Sequence, residues 1–418
     1  MDRLEAGWAR ADLAPETPYP LAGIVTGGER LATWVRDPTR VTCAALRQGE
    51  RTVALVAMDI LVVDPELHGA VEALAGGLGY GGVFLNASHT HSALGGTIDR
   101  PLARLFMGRF RPALRALLLE RILEVLEAAL RDLSPVSGLR AGTAQVPGLT
   151  MNRRQAGGPT DDRVLAMELR REDAAPMLIW SASGHPVVVA MSEEAAESAD
   201  YPGRISAELE DRGFLPLFVL GAVGGLNTLF PEFSIALDDH MDLVARLLTG
   251  GLDRALADAG ETADPALSWA RRDLGLRRAH PPTAGGSLRS GVRAGLSSMV
   301  GSIFGTAVAP RETTVPLILL GLGPVRLAGI PADFGVGGTL HIRGAMAGGD
   351  LAVVASHSNG FVGYVHMPDD YTWSSAVNPG LFHYENAMGW YGRDVGQRIA
   401  DAVVDLSGAL GPQQTGSH

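Results

Sequence analysis

Seven short apolar runs punctuate the 418-residue chain, and they constrain its fold more than any other feature. They are "TVALVAMDILVV" (52–63), "GGVFLNAS" (81–88), "VLAMELRR" (164–171), "PMLIWSASG" (176–184), "LPLFVLGAVGG" (215–225), "TTVPLILLGLGPVRLAGI" (313–330) and "DLAVVASHSNG" (350–360). Runs rich in branched residues and bounded by glycine or polar residues read as strands buried on both faces. Amphipathic patterns lie between them, most clearly "RPALRALLLERILEVLEAALRDL" (111–133), whose leucines recur at three- and four-residue spacing. Residues 203–213, 239–259 and 392–408 repeat that pattern. Strands alternating with helices predict an α/β architecture, a mixed β-sheet core flanked by helices.

Composition narrows the function. Hydrophobic residues make up 46% of the chain, enough for one large core or two ordinary ones. A net charge of -11 argues against nonspecific binding to nucleic acid or anionic membranes, both of which rest on basic patches, and leaves small molecules as the expected partners. All 35 basic residues are arginine, which excludes any mechanism that needs an internal lysine and suggests coding bias from a GC-rich genome. The lone Cys43 excludes an internal disulfide or a multi-thiolate zinc site and reads as a small buried hydrophobe. The opening "MDRLEAGWARADLAPETPYP" lacks the apolar stretch of a signal peptide, and no apolar run approaches the roughly 18 residues of a membrane span. A cytoplasmic protein is expected, and nothing in these residues speaks to its oligomeric state.

No linker or repeat divides the chain, so residues 1–410 are expected to form a single catalytic domain. The Gly-, Ser- and Pro-rich stretch 277–310 reads as a flap over a site or as an irregular surface excursion. The tail "GPQQTGSH" (411–418) is expected to be disordered.

Catalytic groups in open α/β sheets gather where strands end. His89 and His91, in "NASHTHSALGG" (86–96), follow one apolar run, and His185 follows another in "PMLIWSASGHP". Imidazoles from distant strand ends suit zinc and related metals. Asp333, in "IPADFGVGG", and Tyr364, in "SNGFVGYVHMPDDY", follow two further runs. Each also has an ordinary reading: His91 as a turn cap, Asp333 as a helix N-cap, Tyr364 as a half-buried phenol. Asp200 either orients a histidine or starts a helix, and Asp59 is a carboxylate in an apolar run that needs a partner if buried. Nothing singles out His357, His366 or His383, and Tyr384 and Glu385 read as packing residues.

These motifs, with "AGWARADLAP", "LAGIVTGGE", "AMDIL", "SGHPVVVAMSEEAAESADYPG" and "HYENAMGWYG", fall in the order and approximate spacing seen in the neutral, non-lysosomal ceramidases. The chain resembles a short, divergent bacterial-type member of that family over most of its length. The resemblance implies a neutral ceramidase catalytic-domain-like fold, one zinc ion per chain, and hydrolysis of an amide, which in the family is that of N-acylsphingosine. It further implies His89, His185, Asp333 and Tyr364 as zinc ligands, with Asp333 standing where the family has a glutamate. His91 resembles the histidine that faces the substrate, and Arg153, in "TMNRRQ", an active-site arginine.

Departures from the family are equally specific. Gly224 and Gly225 stand where the family has an active-site serine, and no C-terminal immunoglobulin-like domain or secretory leader is expected. The primary expectation is a metal-dependent amidohydrolase in which a metal-activated water cleaves a linear amide, or an ester or lactone, of a small or amphiphilic metabolite. The alternatives are a non-hydrolytic acyl transfer or cyclisation at the same site, and a non-catalytic metal- or ligand-binding relative. No nucleic acid partner is expected.

Overall fold

Apolar residues on both faces of a strand require a packed layer on each side, and the chain supplies one for each of two sheets. The protein is described here from a computed structural model, over residues 2–13, 15–24, 28–100, 103–228, 236–282, 309–346, 349–372 and 384–410. The larger sheet runs, in spatial order, Leu215–Leu220, Met177–Ala182, Arg163–Arg171, Ser134–Gln145, Glu5–Asp12, Arg40–Gln48, Arg51–Met58 and Gly82–Ala87, with Gly260–Thr262 also paired to Ser134–Gln145. It is mixed: both outermost pairs are parallel and the inner pairs antiparallel. The smaller sheet runs Leu267–Arg277, Glu312–Leu322, Val325–Gly329 and Ala352–Ala355, the last pair parallel.

Alternation along each strand sorts the core into layers. Ala44, Leu46, Met177 and Ile179 face Ile318, Leu320 and Leu327 of the smaller sheet across a shared apolar interior. Their neighbours point the other way. Cys43 and Ala45 pack under helices Pro65–Gly77 and Pro112–Arg131, and Leu178 and Trp180 under Asp200–Asp211 and Leu237–Ala257. Leu317 and Leu319 meet Ile342 of helix Val336–Ala345 and Ile399 and Val403 of helix Val395–Ala409. The order of layers is helices, sheet, sheet, helices.

All seven apolar runs contain strands, and 313–330 folds as a hairpin of two. The structure adds long strands that carry no apolar run: Glu5–Asp12, Arg40–Gln48, Ser134–Gln145 and Leu267–Arg277. Each mixes arginine with alanine or glycine, so the apolar residues it buries, such as Leu46 and Leu139, form no continuous run. Most of the expected excursion, residues 283–308, and the tail 411–418 lie outside the described residues.

Two glycines in those strands set how closely the long helices approach. A Cβ on Gly7 would lie 2.0 Å from Ala129 O, and one on Gly142 would lie 2.1 Å from Ala255 O. Neither contact can be relieved by a rotamer, because the obstacle is helix backbone. Gly7→Ala is therefore expected to push helix Pro112–Arg131 off the sheet and lower stability by about 1–3 kcal/mol, the usual cost of overpacking, measured by urea unfolding.

Two edges of the larger sheet are tied together by one side chain. Asn86 Oδ1 accepts from Leu220 N at 2.9 Å, while its Nδ2 donates to Ser356 O at 2.8 Å and Ser358 Oγ at 2.9 Å. That amide draws the ends of Gly82–Ala87, Leu215–Leu220 and Ala352–Ala355 to one place.

Candidate functional site

The chain leaves these strands through turns that carry His89, His185, Gly224, Asp333 and His357. Two of the turns share a local sequence, Ala87-Ser88-His89 and Ala355-Ser356-His357, and in both the histidine takes a left-handed backbone, φ 64° and 51°. A non-glycine residue pays about 1–3 kcal/mol for that conformation, which the surrounding hydrogen bonds must hold. Ala87 N donates to His357 O at 3.1 Å, His89 N to Ile60 O at 3.1 Å and His357 N to Ala332 O at 3.0 Å. The two rings stack with centroids 3.8 Å apart.

Asp333 lies beneath them. Its Oδ2 is 3.4 Å from His185 Nε2, 3.6 Å from His357 Nε2 and 3.7 Å from His89 Nε2. These separations exceed a normal hydrogen bond. Both Asp333 oxygens and both His357 nitrogens are buried without a hydrogen-bond partner among the described residues. The other two rings are oriented from behind: His89 Nδ1 lies 2.7 Å from Leu61 O, and His185 Nδ1 2.7 Å from Leu226 O. A carbonyl there requires the proton on Nδ1, which turns the Nε2 lone pair toward Asp333.

Burial holds His89 and His357 below the ordinary imidazole range. Burial would raise Asp333, but positive charge on the facing rings of His185 and His357, when they are protonated, more than offsets it and leaves the carboxyl well below its usual range. An unpaired buried carboxylate is costly, and a cation among these donors removes the cost. Tetrahedral zinc, with ligand distances of about 2.0–2.1 Å, places its donors about 3.3–3.4 Å apart. The residues present fit such an ion.

His91 stands beside this cluster, its Nε2 3.3 Å from His89 Nε2, and it is partly exposed where the other rings are buried. Burial lowers it as well, followed by the neighbouring His185 and Arg153. Gly23, at φ 107°, makes room for it, since a Cβ there would lie 2.6 Å from the ring. Tyr364 pairs with Asp333 in a short parallel ladder, Asp333–Phe334 against Tyr364–Val365, which sets both side chains at the same level.

Arg153 joins the two parts of the site. Its Nη2 lies 3.4 Å from both His185 Nε2 and Tyr364 Oη, its Nε donates to Glu385 Oε1 at 2.7 Å and its Nη1 to Asn227 Oδ1 at 3.1 Å. Arg154 shares that carboxylate, donating to Glu385 Oε2 at 2.9 Å and to Asn386 Oδ1 at 2.9 Å. Burial raises Glu385, but Arg153 and Arg154 more than offset it and hold it well below the usual range. His366 belongs here, 3.0 Å from Glu385 Oε2, and not to the Asp333 cluster.

Several sequence expectations are sharpened by this arrangement. His89, His185, Asp333, His91, Tyr364 and Arg153 all meet at the strand ends. Asp333 is not a helix cap, because Gly335 occupies the N-cap position. Asp200 opens its helix, its carboxylate accepting from Val189 N and Tyr201 N. Asp59 finds its partner in Arg40 N at 3.0 Å. Glu385, expected to pack, is the shared anion of two guanidiniums. His383 lies outside the described residues. His357 was not singled out by sequence, although the repeated Ala-Ser-His after an apolar run was the available signal.

Gly224 leaves no room for a side chain: a Cβ there would lie 2.6 Å from Gly335 N, and Gly224 N donates to Phe334 O at 2.9 Å.

Helices on the outer faces of two stacked sheets, with a His/Asp cluster at the strand ends, give the chain a neutral ceramidase-like fold. The solved neutral ceramidase from Pseudomonas aeruginosa has that fold, with a TM-score of 0.78 and 18% identity over 100% of this chain and 76% of that one. A ceramidase complexed with C2 gives a TM-score of 0.80 at 18% identity, over 100% of this chain and 77% of that one. No family model and no curated protein matches the sequence.

Glu385→Gln would keep the shape and remove the charge shared by Arg153 and Arg154. The expected loss is about 3–5 kcal/mol of stability, as for other broken buried ion pairs, read from urea unfolding.

Proposed function

We propose that the protein is a zinc-dependent amidohydrolase that cleaves the acyl amide of a small or amphiphilic metabolite. The single observation that carries this reading is the buried Asp333 carboxylate, without a hydrogen-bond partner and faced at 3.4–3.7 Å by three Nε2 atoms. The likeness to ceramidase structures supports amide hydrolysis as the reaction. His89, His185 and Asp333 would hold the ion, with Tyr364 beside them. When bound, zinc supplies Lewis acidity and lowers the pKa of water from about 16 to near 7.

The chain's own residues do the rest. His91, partly exposed beside the buried donors, takes a proton at Nε2 and returns it to the leaving nitrogen, a role for which a neutral imidazole is suited. Arg153, fixed by Glu385 and Asn227, presents Nη2 beside Tyr364 and steadies the oxygen that gains charge as the carbonyl is attacked. No serine nucleophile is needed, so Gly224 is compatible with turnover. No described helix is long and apolar enough to cross a membrane.

Purified protein should carry about one zinc ion per chain; less than about half an equivalent would sink this reading. His89→Ala should lose the metal, whereas His91→Ala should retain it and lose about 100-fold or more in kcat. Acyl-amide substrates of short and long chain, ceramide among them, should be turned over in oxygen-18 water, with label appearing in the released acid. Label-free product transferred to another acceptor would point instead to acyl transfer.

A further inference from the structure

We propose that His357 is itself a ligand of the ion, through Nε2, in the place that the resemblance gives to Tyr364, so that the cage consists of three imidazoles and one carboxylate. This inference rests on the metal-site reading above and extends it to a residue that neither the resemblance nor the solved structures' printed descriptions assign.

Four observations converge on it. His357 Nε2 lies 3.6 Å from Asp333 Oδ2, the same range as His185 at 3.4 Å and His89 at 3.7 Å. Its ring is wholly buried, and neither nitrogen has a hydrogen-bond partner among the described residues. A buried imidazole with both nitrogens unused is costly unless an unseen partner accepts the lone pair or the proton. Its left-handed backbone reproduces that of His89 in the same Ala-Ser-His context, so two strained turns deliver two rings to the same point.

Unlike His89 and His185, His357 has no carbonyl of the described residues behind it to orient the ring. Stacking does that work: the ring lies between His89, 3.8 Å away and 13° from parallel, and Phe361, 5.5 Å away and 21° from parallel. Gly329 keeps the space behind the turn clear, since a Cβ there would lie 2.4 Å from Asn359 Nδ2. Asn359 in turn clamps the turn to the neighbouring strand, accepting from Leu85 N at 2.8 Å through Oδ1 and donating its own N–H to Leu85 O at 3.0 Å.

The competing third ring is His91, whose Nε2 is 3.3 Å from His89 Nε2. It is the less suited donor, because it is partly exposed where His89, His185 and His357 are buried. A third imidazole adds a donor without adding negative charge. With Asp333 ionised, a divalent ion held by these four donors would keep a net positive charge, and a water to be activated would enter as a fifth ligand.

X-ray absorption at the zinc edge counts imidazole ligands directly, and a merely structural role for His357 would not change that count. The wild-type protein should show three imidazoles. His357→Ala should show two, with zinc affinity down about 100-fold or more in chelator competition, and His91→Ala should still show three. A wild-type count of two, a count unchanged in His357→Ala, or a count that falls in His91→Ala instead would each overturn the assignment. Should His357→Ala fail to fold, the wild-type and His91→Ala counts decide it. Wild-type protein that binds no zinc would refute the parent reading, an outcome separate from all of these.

Discussion

Every long strand at the centre of this protein is closed off by packing on both sides, and that constraint decides where chemistry can occur. Side chains such as Leu178 and Met177, or Leu319 and Leu320, point into two different apolar layers from successive positions. Polar groups that need a shared environment must therefore come from the places where strands stop, and the turns after Ala87, Ala182, Gly329 and Ala355 supply them. The Asn86 amide draws three of these strand ends together, so one hydrogen-bonding side chain underlies the position of His89 and His357 alike.

What was legible in the sequence follows from the same constraint. A strand buried on both faces leaves a run of branched apolar residues, and all seven such runs contain strands. Glu5–Asp12 and Ser134–Gln145 were not legible, because at Gly7 and Gly142 the sheet meets a helix backbone and needs an absence of side chain rather than a hydrophobic one. A pattern search sees bulk, and these strands are held by its lack.

The site was legible to the extent that each residue sits at the end of such a run. His89, His185, Asp333 and Tyr364 satisfy that condition, and the family resemblance separated them from ordinary turn residues. His357 satisfies it equally, yet only the fold shows its ring stacked on His89. Arg153 was legible as an isolated cation. Its anchor Glu385, more than 200 positions away, was not, since a pairing between distant segments leaves no periodicity in either.

The contact between Gly224 and Gly335 bears on how Asp333 is held. Two backbone segments lie against each other there, and one of them continues from the strand that bears Asp333. A side chain at 224 would have to displace the turn after Phe334, and Asp333 with it. The missing Cβ at 224 is therefore part of what fixes the depth of the carboxylate.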